Sequence, residues 1–313
     1  MIAIVADVLA RVWPFFLLVG AGLVLTRLRL LDGAQARGLS SYVYWIGFPA
    51  LLIHSLSRMG RPGPELTAGL AAYATAGLAV MTAVVILGRV LGWTKAEQSG
   101  AGIASGVGNS AFLALPITAA VMGAETARVV AGVVAIDFVI LSAAGVGLLS
   151  WAAGRSVWRS IAQAFRNPIV AAAVLGVALA LSDLGLPAPL DRAIGMAALS
   201  GSPVGLVALG AALGLHDVDG EPTPDLRPIL TSALAKLAIF PLLVWLAVGL
   251  TPAPEAFRAG ATLLAAAPTA VNVFIQTRTY GVWPRGAART VAVTTALSAI
   301  TLALAALLVA PRS

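Results

Sequence analysis

The chain has 313 residues, 59% of them apolar and 11% charged, with no cysteine and a formal charge of +7 from 20 basic and 13 acidic residues. With a mean hydropathy of +0.95, this is the composition of a polytopic membrane protein. The missing cysteines exclude a disulfide framework and thiolate chemistry, and basic residues scattered through short connections argue against nucleic acid as a partner.

Apolar stretches of about 18 to 25 residues suit a hydrocarbon core about 30 Å thick. Ten such spans are predicted in chain order: Val8 to Thr26, Leu39 to Leu56, Leu66 to Leu91, Gln98 to Met122, Thr126 to Trp151, Pro168 to Leu181, Ile194 to Leu215, Ile229 to Leu250, Phe257 to Thr279 and Ala287 to Ala310. The first carries Asp7 and Arg11 at its start and shows no clear cleavage site, so it reads as a retained helix. Nothing in the chain suggests a soluble domain.

The side of the membrane follows from the basic residues. Arg27, Arg29, Arg37, Arg89, Lys95, Arg155, Arg159, Arg166, Arg227, Arg278, Arg285 and Arg289 fall on one side; Arg11, Arg58, Arg61, Arg128, Arg192, Arg258 and Arg312 fall on the other. Twelve against seven places both termini outside the cytoplasm of an inner (plasma) membrane. Asp217, Asp219, Glu221 and Asp225 make one predicted cytoplasmic loop acidic, which weighs little in this rule.

Five spans (residues 1–151) precede a connection at 152–167 and five (168–313) follow it, which by parity makes two halves of opposite orientation, an inverted repeat. Features recur in order between the halves. Ala127-Arg128-Val-Val-Ala131 opens the fifth span and Ala288-Arg289-Thr-Val-Ala292 the tenth; Gly47-Phe-Pro49 interrupts the second and Gly201-Ser-Pro203 the seventh. The fourth span contains Ala104-Ser-Gly-Val-Gly-Asn-Ser-Ala-Phe-Leu-Ala-Leu-Pro116, and the ninth Ala265-Ala-Ala-Pro-Thr-Ala-Val-Asn-Val-Phe274.

A helix broken in hydrocarbon leaves backbone groups unpaired, and it persists only where it lines a cavity or is buried in protein. Two matched breaks are the best sequence pointer to a transporter's binding site. If the fourth and ninth spans cross there, the half-helices beginning after Asn109 and Pro268 aim free N–H groups at one point. Such ends carry about half a positive charge each and bind carboxylates and phosphates. The predicted ligand is a small organic anion, with Asn109, Ser110, Pro116, Pro268, Thr269 and Asn272 forming its site. The competing reading is that proline and glycine merely kink membrane helices.

Ionisable residues within spans are functional candidates by default. Asp137, midway along the fifth span, is a candidate for a coupling proton or sodium ion, the alternative being a carboxylate hydrogen-bonded between helices. Lys236, in the eighth, is a candidate partner of Asp137 or attractor of the anion, the alternative being a structural ion pair. His54 reads as interfacial and Arg278 as a topology anchor beside Tyr280. Gly106-Val-Gly-Asn-Ser-Ala111 fits G-x-G-x-x-A without any βαβ context, and no hydrolase or metalloprotease motif occurs, so neither a cofactor site nor an enzyme is expected.

With Phe48-Pro49-Ala-Leu-Leu, Gly108-Asn109-Ser-Ala-Phe112-Leu-Ala-Leu-Pro116, Asn167-Pro168, Ser202-Pro203-Val-Gly-Leu, Gly210-Ala-Ala-Leu213, Lys236-Leu-Ala-Ile-Phe-Pro241, Pro268-Thr-Ala-Val-Asn272-Val-Phe and Tyr280-Gly281 in this order, the whole chain resembles the auxin efflux carrier family. Its bacterial members look like malonate and related organic-acid transporters. The resemblance implies a scaffold of spans one, two, six and seven that also forms a homodimer contact, and a mobile transport domain of spans three to five and eight to ten. It implies substrate at the crossing of spans four and nine, moved by an elevator-like or rocking motion. The chain departs from the family where glycines are common, at Ala111 and Ala114. Two other functions stay open: sodium-coupled symport resembling the bile acid carriers, and a membrane receptor that binds ligand without transport.

Overall fold

A computed structural model describes residues 2–156, 168–182, 185–215 and 225–309, with side chains from residue 10 onward. Most of the connection expected at 152–167, including Arg159, Arg166 and Asn167, lies outside the described residues, as do His216, Asp217, Asp219 and Glu221.

The described residues form helices joined by short turns. In chain order these are α1 (Ile2–Arg27), α2 (Gly33–Ser57), α3 (Pro64–Val90), α4 (Lys95–Gly106), α5 (Ser110–Met122), α6 (Ala124–Ala152), α7 (Pro168–Ser182), α8 (Ala188–Gly214), α9 (Leu226–Gly249), α10 (Glu255–Ala265), α11 (Val271–Tyr280) and α12 (Pro284–Val309). Seven of them, α1, α2, α3, α6, α8, α9 and α12, are long and apolar enough to cross a membrane unaided. The difference from ten predicted spans has a local cause. The fourth and ninth are each split in two, and α7 has only 15 residues.

Helix starts follow local chemistry. Asp32 caps α2 by accepting from the N–H groups of Ala34 and Gln35, while the Gln35 side chain accepts from the Asp32 N–H. Thr94 and Glu97 make the same reciprocal box at the start of α4. Gly123 (φ 89°) stops α5 and Gly281 (φ 67°) stops α11, conformations that favour glycine.

Four helices contain a wider turn with i→i+5 bonding: Val43–Gly47, Ser110–Ala114, Asp137–Leu141 and Ala235–Ile239. Three are followed, after one intervening residue, by proline, namely Pro49, Pro116 and Pro241. Proline lacks the N–H that the carbonyl four residues earlier needs, and a π turn is one way to re-pair the freed groups inside a membrane. Pro116 therefore does not break its span; α5 runs through it. The interruption lies upstream at 107–109.

Small residues bring the helices together. α1 packs most extensively on α8, where a methyl group on Gly22 would overlap the Val207 carbonyl and one on Gly210 the Val19 carbonyl. With apolar lipid outside, close backbone approach of this kind replaces hydrophobic collapse as the main source of helix association. α7 lies against α2, with Gly176 facing the Leu52 carbonyl. Residues 107–109 and 266–270, which make the two breaks, are buried inside protein.

Candidate functional site

α4 ends at Gly106 and α10 at Ala265, and the two extended segments that follow pair with each other. Asn109 N donates to the Pro268 carbonyl at 2.8 Å and Ala270 N to the Val107 carbonyl at 3.1 Å, an antiparallel bridge centred on Gly108 and Thr269. Each break thus satisfies backbone groups that the other leaves open, which meets the requirement that such groups be paired within the membrane.

The last carbonyls of the two leading half-helices are also taken up. Ala104 O, beyond the reach of any helical N–H, accepts from Thr269 Oγ1 at 2.8 Å. Ala265 O accepts from Lys236 Nζ at 2.6 Å, while Thr269 N, which would have reached Ala265 O in a continuous helix, donates to Thr294 Oγ1 at 3.2 Å. A lysine at a helix C-terminus both bonds an orphan carbonyl and meets the negative end of the dipole.

The trailing half-helices begin at Ser110 and Val271, and neither has a side-chain cap. Their N-termini border a cavity of about 110 Å³. The crossing lines it with Gly108, Asn109, Phe112, Ala270, Val271, Asn272 and Ile275, and α6 adds Phe138. Ser40, Val43, Tyr44 and Phe48 from α2, Ile169 from α7, and Gly205, Ala208, Leu209 and Ala212 from α8 complete the lining. Among the described residues neither the Asn109 nor the Asn272 carboxamide has an intramolecular hydrogen bond, and both lie on the cavity wall. An amide offers donors and an acceptor, so the site presents neutral polar groups and two helix ends in an otherwise apolar chamber.

The other sequence candidates are placed differently. Thr269 is 1% exposed with its hydroxyl committed to Ala104 O, and Pro268 supplies the carbonyl that receives Asn109 N. Neither lines the cavity, nor do Ser110 and Pro116. The carbonyl that Pro116 leaves without a helical partner, that of Phe112, accepts from Ser202 Oγ of α8 at 2.7 Å. Phe112 itself stacks edge-on against Phe48 at 4.2 Å between ring centres.

Asp137 and Lys236 are both fully buried behind the crossing. Asp137 Oδ1 accepts from the Tyr73 hydroxyl at 2.9 Å. Ser110 lies close enough to interact with the same carboxylate, although neither Ser110 Oγ nor Asp137 Oδ2 makes a hydrogen bond of ordinary geometry. Asp137 and Lys236 act on each other electrostatically without a contact ion pair. The only sequence signal for Tyr73 is a phenol within an apolar span.

His54 lies at the end of α2, where Arg58 approaches both of its ring nitrogens and pairs with Asp191 of α8 at 2.8 Å. Arg278 is exposed, and the Tyr280 ring carries Arg155 above it at 5.1 Å.

Residues 7–306 match a family described as "Membrane transport protein". A relative from Rhizobium meliloti (strain 1021), named "Putative malonate transporter", is 31% identical over 310 residues, covering 95% of this chain and 94% of that one. Apolar helices, interrupted crossing segments and a match running nearly from end to end agree: this multi-pass membrane protein belongs to the membrane transport protein family, the auxin efflux carrier-like group.

Proposed function

We propose that this chain is a secondary active transporter of small organic anions, and that the cavity at the crossing holds the substrate carboxylate between Asn109, Asn272 and the N-termini of α5 and α11. The observation that carries the reading is the pairing of two unbonded carboxamides with two uncapped helix ends on one cavity wall. Helix N-termini of this kind bind anions. Malonate, from the relative's name, is the first acid to test.

In this reading the seven long helices, α7 and the two split segments make ten crossings, arranged as two inverted halves of five. Helices α1, α2, α7 and α8 form a scaffold that also carries the homodimer contact; α3 to α6 and α9 to α12 form the transport domain. The cavity supports this division, because its lining is drawn from both groups: α2, α7 and α8 of the one, and the crossing with α6 of the other. Movement of one group past the other, elevator-like, gives alternating access in an inner membrane with both termini outside the cytoplasm. Asp137 is the coupling-proton candidate, with Lys236 as its charged neighbour.

The test is flux in liposomes reconstituted with purified protein. Malonate uptake driven by a pH gradient or voltage and indifferent to sodium is the expected result. Uptake that requires a sodium gradient replaces this mechanism by sodium symport, and binding without flux under any gradient makes the protein a receptor.

A further inference from the structure

We propose that Gly108 sets the charge selectivity of this site by leaving only backbone between the Lys236 ammonium and the cavity. A ligand carboxylate is then held against a fixed cation. The proposal rests on reading the cavity as the substrate site.

Glycine at 108 is not demanded by backbone conformation. Among the described residues the positive-φ glycines are Gly60, Gly92, Gly123, Gly154 and Gly281, so alanine fits the Gly108 backbone without strain. What glycine provides there is room, and the room faces one group. A Cβ at 108 would lie 2.9 Å from Lys236 Nζ and 3.0 Å from its Cε. Gly108 also lines the cavity, next to Asn109.

Lys236 has capacity to spare. Its ammonium has three donors, and one bond, to Ala265 O, is made. The Phe240 ring lies 4.6 Å from Nζ, and Asp137 stays outside contact distance, its Oδ1 engaged by Tyr73. A buried cation so incompletely compensated is costly, and an anion in the cavity supplies the missing charge. No charged side chain lines the cavity among the described residues. Coulomb attraction through a thin low-dielectric layer is strong compared with the same attraction in water. Lys236 therefore acts across the glycine rather than from the wall.

The competing explanation is that Gly108 only makes space for the lysine stem. Charge separates the two. Binding of malonate and of its neutral analogue malonamide is measured by calorimetry on the full chain in nanodiscs at pH 7. Wild type is expected to prefer malonate. Lys236→Met is expected to weaken malonate roughly 10- to 100-fold while malonamide changes far less, and Gly108→Ala to weaken malonate selectively in the same sense. Equal losses for both ligands in Gly108→Ala, or unchanged malonate affinity in Lys236→Met, overturn the proposal. Should Lys236→Met fail to fold, the acid-to-amide ratio in Gly108→Ala decides alone. If Asn272→Ala weakens malonate binding and Lys236→Met leaves it unchanged, the cavity stands as the site and only the role of Lys236 falls. If wild type binds neither ligand, the reading of the cavity fails and the proposal with it.

Discussion

Gly47 of α2 and Gly201 of α8 meet backbone to backbone: a Cβ on Gly201 would lie 2.7 Å from the Gly47 carbonyl oxygen, and one on Gly47 2.8 Å from the Gly201 Cα. The sequence reads as interrupted at both points, but α8 runs unbroken through Gly201 and Pro203 and α2 only widens into the π turn at Val43–Gly47, so this second matched pair is a close helix contact and not a pair of breaks. Gly201→Ala forces the two helices apart and is expected to cost about 1–3 kcal/mol, the usual penalty for overfilling a packed contact. Thermal unfolding in detergent checks it, and Gly201→Leu should remove the folded protein from the membrane fraction.

Ser202, the next residue, bonds the carbonyl that Pro116 leaves open. Ser202→Ala strands that carbonyl and is expected to lose about 1 kcal/mol of stability, read as a lowered melting midpoint. Ser202→Thr keeps the hydroxyl and should retain most of it. If Ser202→Ala melts with wild type, another group satisfies Phe112.

Asn109→Ala and Asn272→Ala are expected to leave folded yield unchanged, because neither side-chain carboxamide bonds to another described residue. Each should weaken organic-acid binding at least about tenfold, the worth of one hydrogen bond to a charged ligand. Titration calorimetry measures this, and wild-type affinity in both variants would take the crossing out of the mechanism.

Asp137→Asn preserves an oxygen to accept from Tyr73 while removing the proton site. Uptake driven by a pH gradient should disappear, and exchange of internal for external substrate at equal pH should persist. Gradient-driven uptake at the wild-type rate in this variant would move the proton elsewhere.

The sequence carried the location of the breaks better than their chemistry. Glycine, asparagine and proline at 106–109 and 268–272 are local signals, readable without knowing what lies opposite. The π turns before Pro49, Pro116 and Pro241 were not readable, since proline announces a lost bond but not how the chain re-pairs. Lys236 as a neighbour of Asp137 is legible as an expectation, but that Tyr73 joins them is hidden. These residues come from three helices, and periodicity gives a face for each without saying which faces meet. Thr269 shows the same limit, as its hydroxyl serves the end of α4 rather than the cavity.

The bridge between Gly108 and Thr269 also constrains the order of assembly. The N–H of Asn109 and the carbonyl of Val107 have as their partners Pro268 and Ala270, in the second half of the chain. During synthesis the first broken segment therefore enters the bilayer before the backbone that completes it exists. Until the second arrives, those groups must stay wet or borrow temporary partners. Closing this contact joins distant parts of the chain, a slow kind of event, and the cavity, which both breaks line, cannot exist before it closes.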